Sequence, residues 1–323
     1  MKNFWQDLPK PFFILAPMEA VTDTVFRHVI LKAGRPDVYF TEFVNASSFC
    51  SPKGAHSTKD RLAFSDDEQP IVAQIWGNRP DEFEKMSQQL EKMGFVGIDI
   101  NMGCPDKAVV KTGSGSALIK NPELASQLIK SVQKSNLPVS VKTRLGDLKV
   151  DEWTDWISFL LEHNLSNLTI HLRTRKEMSK VDAHHELIPE IVKLRNKIAP
   201  QTLLTVNGDF KDRRQCEETV KKYGVDGIMI GRGVFDNPFV FEKIPKQHTK
   251  EELIGLLKFH LDLYDEHYSK NLAKSSKFDP LKRFFKIYIR DFPGASDLRN
   301  QLMQTKNTAE VRLALSNWLS TEP

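Results

Sequence analysis

Short apolar runs recur through the first three-quarters of the chain, separated by longer stretches whose apolar positions repeat at helical spacing. The runs are Phe12–Ala16, Val38–Phe43, Ile71–Trp76, Val96–Ile100, Val139–Lys142, Leu168–His171, Leu203–Val206 and Gly227–Ile230, most of them rich in Val and Ile. Continuous apolar runs suit parallel strands buried on both faces. The stretches between predict amphipathic helices over Asp23–Lys32, Asp81–Met93, Pro122–Gln133, Val150–His163, Glu186–Ile198 and Arg213–Tyr223. After the second and eighth runs no element is clear. Thr22-Asp23 and Asn121-Pro122-Glu123 have the form of helix starts. Gly94 and Gly224 stand where C-terminal capping glycines belong.

Eight βα units fit an α/β chain folded as a closed (β/α)8 TIM barrel. An open doubly wound sheet competes on spacing alone, but no GxGxxG follows the first run. Past Pro238 the pattern changes. Residues 242–323 hold no convincing strand and predict helices near Lys250–Tyr268, Asp279–Asp291 and Thr308–Leu319, with a polar loop over Lys270–Asp279. The expected organisation is a barrel over residues 1–241 and a small all-helical domain over 242–323.

Composition narrows this little. Of 323 residues 40% are hydrophobic and 27% charged, as in a folded globular chain. No apolar run approaches the ~20 residues of a membrane span, and the opening residues carry no export pattern. A cytoplasmic, monomeric protein is expected. Cys50, Cys104 and Cys216 are too scattered for a disulfide framework or a zinc site, so no metal is expected. Lys plus Arg exceeds Asp plus Glu by 46 − 42 = 4, too little to demand a nucleic-acid partner without local clustering.

In a TIM barrel the active site lies at the C-terminal strand ends. Here those ends are Ala16-Pro17-Met18, Thr41-Glu42, Gln74, Asn101, Lys142, His171, Asn207-Gly208-Asp209 and Gly231-Arg232-Gly233. All but the first carry a polar side chain. Glycine turns after the last two strands are the usual phosphate cradle, to which Arg232 adds a guanidinium. Lys142 is suited to a Schiff base or to a fixed positive charge, and Arg144, two residues on, would lower its pKa. Alternatively Lys142 snorkels to solvent. Cys104 lies in the loop Asn101-Met-Gly-Cys-Pro105, where a thiol can act as nucleophile or proton donor. His171 is the one histidine at a strand exit. His56, His184, His185, His260 and His267 read as structural or solvent-facing.

Leu15-Ala-Pro-Met-Glu-Ala-Val-Thr-Asp, Thr41-Glu-Phe, Ala73-Gln-Ile-Trp-Gly, Asp99-Ile-Asn-Met-Gly-Cys-Pro, Ser140-Val-Lys-Thr-Arg-Leu-Gly, Ile170-His-Leu-Arg-Thr-Arg, Val206-Asn-Gly-Asp and Ile230-Gly-Arg-Gly resemble, in order, motifs of the tRNA-dihydrouridine synthases. The resemblance covers residues 12–241, and the helical tail fits that family's tRNA-binding domain. It implies an FMN-containing TIM barrel that reduces particular uridines of tRNA with NADPH. It implies that Ala16, Pro17, Met18 and Gln74 contact the flavin ring, Lys142 its pyrimidine end, and His171 its surroundings. Asn207, Gly208, Asp209, Gly231 and Arg232 would hold the FMN phosphate. Asn101 would bind the uracil, with Arg144 also on the substrate side, and Cys104 would donate the proton. Two departures stand out: Ala20 and Leu172 occupy positions where the family often has glycine.

A uridine inside folded tRNA must leave its stack to react, so backbone contacts are needed. Lys270, Lys274, Lys277, Lys282, Arg283, Lys286 and Arg290 face a single acid, Asp279, within residues 270–290. Lys282, Lys286 and Arg290 recur at i, i+4, i+8 and are expected on one helix face, contacting phosphates. The competing readings are a small-molecule flavoenzyme of the dihydroorotate or dihydropyrimidine type, a Schiff-base aldolase, and a non-catalytic RNA-binding protein.

Overall fold

The computed structural model describes residues 3–269 and 278–321. Nine parallel strands are present among them: β1 Phe12–Leu15, β2 Tyr39–Phe40, β3 Val44–Asn45, β4 Ile71–Trp76, β5 Gly97–Met102, β6 Val139–Arg144, β7 Asn167–His171, β8 Leu203–Asn207 and β9 Gly227–Ile230. They pair in the order β1-β9-β8-β7-β6-β5-β4-β2, and β3 also pairs with β4. A bridge from Ile14 to Val38 brings the ends of that order together. The short β2 and β3 share one station, so this is a TIM barrel of eight stations, as the runs predict. The two segments without a sequence signal are helical: Ala46–Cys50 and Pro52–Lys59 follow β3, and Gly233–Asp236 follows β9.

The start and stop residues act as expected. Asn121 caps its helix by accepting from the Leu124 N–H. Gly224 ends the Arg213–Tyr223 helix at φ +74°, a left-handed conformation that glycine adopts without a Cβ clash.

One end of the barrel is filled by apolar side chains. Trp5, on the short helix Phe4–Asp7, is fully buried in a cluster with Phe12, Ile14, Val38, Phe40, Val72, Leu203 and Met229, flanked by Phe4 and Leu8. Truncating such a residue costs about 3–5 kcal/mol. The interior also holds buried polar residues along β7 and β8. Asn167 Nδ2 donates to Thr169 Oγ1, and Thr205 Oγ1 donates to Asn167 Oδ1.

Packing divides the chain into two compact units. One is Met1–Thr24 with Pro36–Gly231, and the other is Val25–Arg35 with Arg232–Pro323. The sequence reading places a single boundary at 241/242. Packing instead breaks at Gly231/Arg232 and assigns the first βα helix to the helical unit. The reason is aromatic: Phe26 stacks on Phe284 with centroids 4.8 Å apart and lies 6.1 Å from His260. Within that unit His260 is buried against the Tyr288 hydroxyl, 2.8 Å away.

Candidate active site

The β4, β5 and β6 exits are tied by a chain of hydrogen bonds. Ser140 Oγ donates to Asp99 Oδ1 at 2.7 Å. Asp99 Oδ2 accepts from Gln74 Nε2 at 2.7 Å. Gln74 Oε1 accepts from Asn101 Nδ2 at 3.0 Å. Asn101 Oδ1 then accepts two backbone N–H groups, from Gly103 at 3.1 Å and Cys104 at 2.9 Å. Gln74 and Asp99 are fully buried and Asn101 nearly so. The strand register supplies these neighbours, pairing Gln74 with Asp99, Asp99 with Ser140, and Asn101 with Lys142.

The loop of Cys104 is held from two further sides. Arg144 Nε donates to the Gly103 carbonyl at 2.7 Å, while its Nη1 donates to the carbonyls of Thr174 and Met178. The Cys104 carbonyl accepts from Ser116 N and Oγ, at 3.0 and 2.8 Å. Gly115, at φ +60°, lets the backbone come this close, since a Cβ there would lie 2.8 Å from the Cys104 oxygen. Arg144, expected on the substrate side, is buried and anchored to main-chain carbonyls.

Lys142 and Cys104 are both half-buried. Burial, aided by the Arg144 charge and opposed by Asp99, brings the Lys142 pKa down to about 8. Burial also pushes the Cys104 thiol up, against the pull of the Asp106 N–H, Arg144 and Lys142. The thiol therefore stays protonated at neutral pH, the resting state a proton donor needs. Desolvation raises Asp99 to about 6, opposed by its bonds from Ser140 and Gln74 and by the Lys142 charge.

The β8 and β9 exits carry the glycine turns, with the β1 and β7 exits beside them. Gly208 takes φ +131°, and a Cβ there would meet Ala183 Cβ at 2.9 Å and His171 Cδ2 at 3.3 Å. The Asp209 carboxylate is engaged within the protein. Buried Arg173 forms an ion pair with it, and the Ala183 N–H donates to it at 2.8 Å. Arg173 Nη1 also lies 3.1 Å from His171 Nε2. Arg173 thus joins the β7 and β8 exits, a role that sequence reasoning missed. Its adjacency to His171 was the available signal. Asn207 Nδ2 donates to the Met229 carbonyl at 2.8 Å. At the β9 exit Gly231 faces Ala16 and Met18, since a Cβ would lie 3.5 Å from Ala16 Cβ and 3.7 Å from Met18 Sδ. Pro17 is half-buried between them in sequence. Arg232 stands before the Gly233–Asp236 helix and belongs to the second unit.

Glu42, at the β2 exit, accepts from the Ala20 N–H and lies 3.6 Å from Arg61, which also pairs with Glu19. Burial outweighs Arg61 and raises Glu42 to about 7. Ala20 sits at φ +55°, a left-handed conformation that glycine would adopt without a Cβ clash.

The helical unit alters the expected basic stripe. The predicted Asp279–Asp291 helix is three short pieces, Phe278–Leu281, Lys282–Phe284 and Phe285–Tyr288. Asp291 at φ +60°, Pro293 and Gly294 at φ +79° follow, so no helix continues. Arg290 therefore does not share a helix face with Lys282 and Lys286. It turns back, pairs with Asp291 and donates to the carbonyls of Phe235 and Asp236. Lys282 pairs with Asp279 at 2.9 Å. Arg283 and Lys286 are exposed, Lys286 lying 5.5 Å from the Phe235 ring. Lys270, Lys274 and Lys277 lie outside the described residues. Among the described residues no cluster could hold a metal ion and no helix is long and apolar enough to cross a membrane.

A parallel barrel whose mouth gathers a desolvated ammonium, a protonated thiol on a clamped loop and glycine turns defines a barrel enzyme. The dihydrouridine synthase family model matches residues 14–321, and the chain belongs to that family. It is 59% identical to the probable tRNA-dihydrouridine synthase 2 of Bacillus subtilis strain 168, over 98% of this chain and 97% of that one. It is 57% identical to the probable tRNA-dihydrouridine synthase of Staphylococcus aureus strain COL, over 98% and 96%. Among solved structures, a 2-naphthoyl-CoA reductase complex shares the fold at 10% identity and TM-score 0.54, covering 71% of this chain and 49% of that one. The chain spans about half of that larger protein.

Proposed function

We propose that the chain is a tRNA-dihydrouridine synthase that reduces the 5,6 double bond of uridine in tRNA, with FMN as cofactor and NADPH as reductant. The observation that carries this reading is the pairing of a thiol kept protonated by burial with a desolvated ammonium at one barrel mouth. The names of the relatives at 57–59% identity support the RNA substrate.

The residues fit an anionic flavin. None of the hydrogen bonds or ion pairs among the described residues uses the Lys142 amine, so its charge is available to a bound anion. Lys142 would face the pyrimidine end of the ring and His171 its neighbourhood, with Ala16, Pro17, Met18 and Gln74 beside the ring. Backbone N–H groups of the turns at Asn207-Gly208-Asp209 and Gly231 would hold the phosphate. The Asp209 side chain serves the turn rather than the anion, because Arg173 and Ala183 occupy it. When bound, FMN supplies the hydride for carbon 6 of uracil. Cys104 Sγ gives its proton to carbon 5, and the thiolate left behind is reprotonated from solvent. Asn101 and Arg144 hold the turn that aims the thiol, and Asn101 would stand beside the uracil. The helical unit offers Arg283 and Lys286 to RNA phosphates.

Purified protein should be yellow. NADPH should bleach the flavin, and unmodified tRNA should restore its colour while orotate and free uracil do not. Reoxidation by orotate would move the protein to the small-molecule class, and a colourless protein that cannot be loaded with FMN would end the flavin reading.

A further inference from the structure

Side-chain amides have two different ends, and a buried row of them takes one of two polarities. An ionised carboxylate only accepts hydrogen bonds. Asp99 therefore requires the NH2 end of Gln74, at 2.7 Å. The Gln74 carbonyl must then face the NH2 end of Asn101, at 3.0 Å. That turns the Asn101 carbonyl toward the Cys104 loop, the one orientation in which it can accept the N–H groups of Gly103 and Cys104. Reversing any amide would set like ends against each other in a region that excludes water and leave buried polar groups unsatisfied. The rest of the surroundings hold the carboxylate itself. Ser140 Oγ donates to Asp99 Oδ1, and the Gln74 backbone N–H is bonded to Thr41 Oγ1 at 3.1 Å.

We propose that Asp99 is a positioning residue that, through the Gln74 and Asn101 amides, sets the orientation of the Cys104 turn. It touches neither substrate nor thiol and acts by fixing which end of each amide points outward. The inference rests on the role proposed for Cys104, but alkylation of the thiol reads the turn independently of that role.

The test is the rate at which iodoacetamide alkylates Cys104 in the folded protein without RNA. It is followed by mass spectrometry, with exposed Cys50 as internal reference and buried Cys216 as an unfolding alarm. Asp99→Leu removes the acceptor, and Gln74→Met cuts the row one link further on. Each should speed Cys104 alkylation about tenfold while Cys50 is unchanged. Asp99→Asn keeps an acceptor for Gln74. Its NH2 can donate to Ser140, whose hydroxyl can turn to the Ile98 carbonyl, 3.5 Å away. It should therefore restore the wild-type rate within twofold. If Asp99→Leu does not fold, Gln74→Met decides. A rate within twofold of wild type in a folded Leu or Met variant overturns the proposal. So does an Asn variant that behaves like Leu, since the position would then supply charge rather than polarity. In a separate single-turnover arm, tRNA reoxidises pre-reduced flavin. There Leu should slow the step about tenfold and Asn should rescue it. No uridine reduction even in wild type would sink the proposed function and leave the alkylation result standing.

Discussion

Arg144 donates its Nε hydrogen to the carbonyl of Gly103 across 2.7 Å, so the strand that carries Lys142 also holds the turn that carries Cys104. Lys142 sits on a strand and Cys104 on the loop tied to it, and a buried guanidinium bonded to three main-chain carbonyls leaves that loop little freedom. The geometry suits a site in which one group stabilises charge and the other delivers a proton.

Cys104→Ala separates those two duties. The variant should keep its flavin and still accept hydride from NADPH, yet reduce uridine about 10²–10⁴-fold more slowly, the usual worth of a positioned acid. Single-turnover absorbance at the flavin band reads both half-reactions. Normal uridine reduction would show that the proton comes from elsewhere.

Lys142 carries a stability signature with a defined sign. Its folded pKa, about 8, lies below its ordinary value of 10.5, because burial penalises the charged form. Between those values the unfolded chain binds more protons, so this residue makes folding less favourable below pH 8 and the penalty fades towards pH 10.5. Lys142→Met should therefore stabilise the flavin-free protein at pH 7 by about 2 kcal/mol, a full shift discounted for the amine's remaining contact with water. The gain should vanish near pH 10.5 in denaturant titrations. The same variant should lose most uridine reduction.

Gly208→Ala tests the anion turn. The new methyl would meet Ala183 at 2.9 Å on a backbone at φ +131°. Strain of about 1–3 kcal/mol should appear as lower stability and weaker flavin retention. Flavin fluorescence released on dilution measures the second effect. Unchanged retention would place the phosphate away from this turn.

In the helical unit the basic side chains should behave differently from one another. Arg283→Glu and Lys286→Glu, both at exposed positions, should weaken tRNA binding and reduce its salt slope by about one for each phosphate no longer neutralised. Arg290→Ala should instead lower thermal stability, because its guanidinium bonds the carbonyls of Phe235 and Asp236. Filter binding across a salt series, beside melting curves, distinguishes the two. Equal melting losses in all three variants would count against this division of labour.

The barrel was legible because its strands are continuous apolar runs. Ile71–Trp76 and Gly227–Ile230 are strands at the very residues that pattern marks. Ala46–Cys50 and Pro52–Lys59 were not legible, because short polar helices, the second containing Gly54, bury too little to show a period. The basic stripe failed for a backbone reason: i, i+4, i+8 spacing means one face only while a helix lasts, and this one stops at Tyr288. At the mouth, Lys142 and Cys104 could be picked from their positions. Sequence could not show that the Gln74, Asn101 and Asp209 side chains are already bonded within the protein. Asp99 was the missed clue. A carboxylate inside the Val96–Ile100 run has to find partners, and those partners lead to the thiol.

The packed floor of the barrel decides traffic. Phe4, Trp5 and Leu8 pack on the apolar cluster where the strands begin, which leaves the chemistry to the end where they finish. Under the proposed function a dinucleotide and a swung-out base would both react there and would have to take turns. Excess of either should then obstruct the other, and the reaction should run as two alternating visits rather than one crowded encounter.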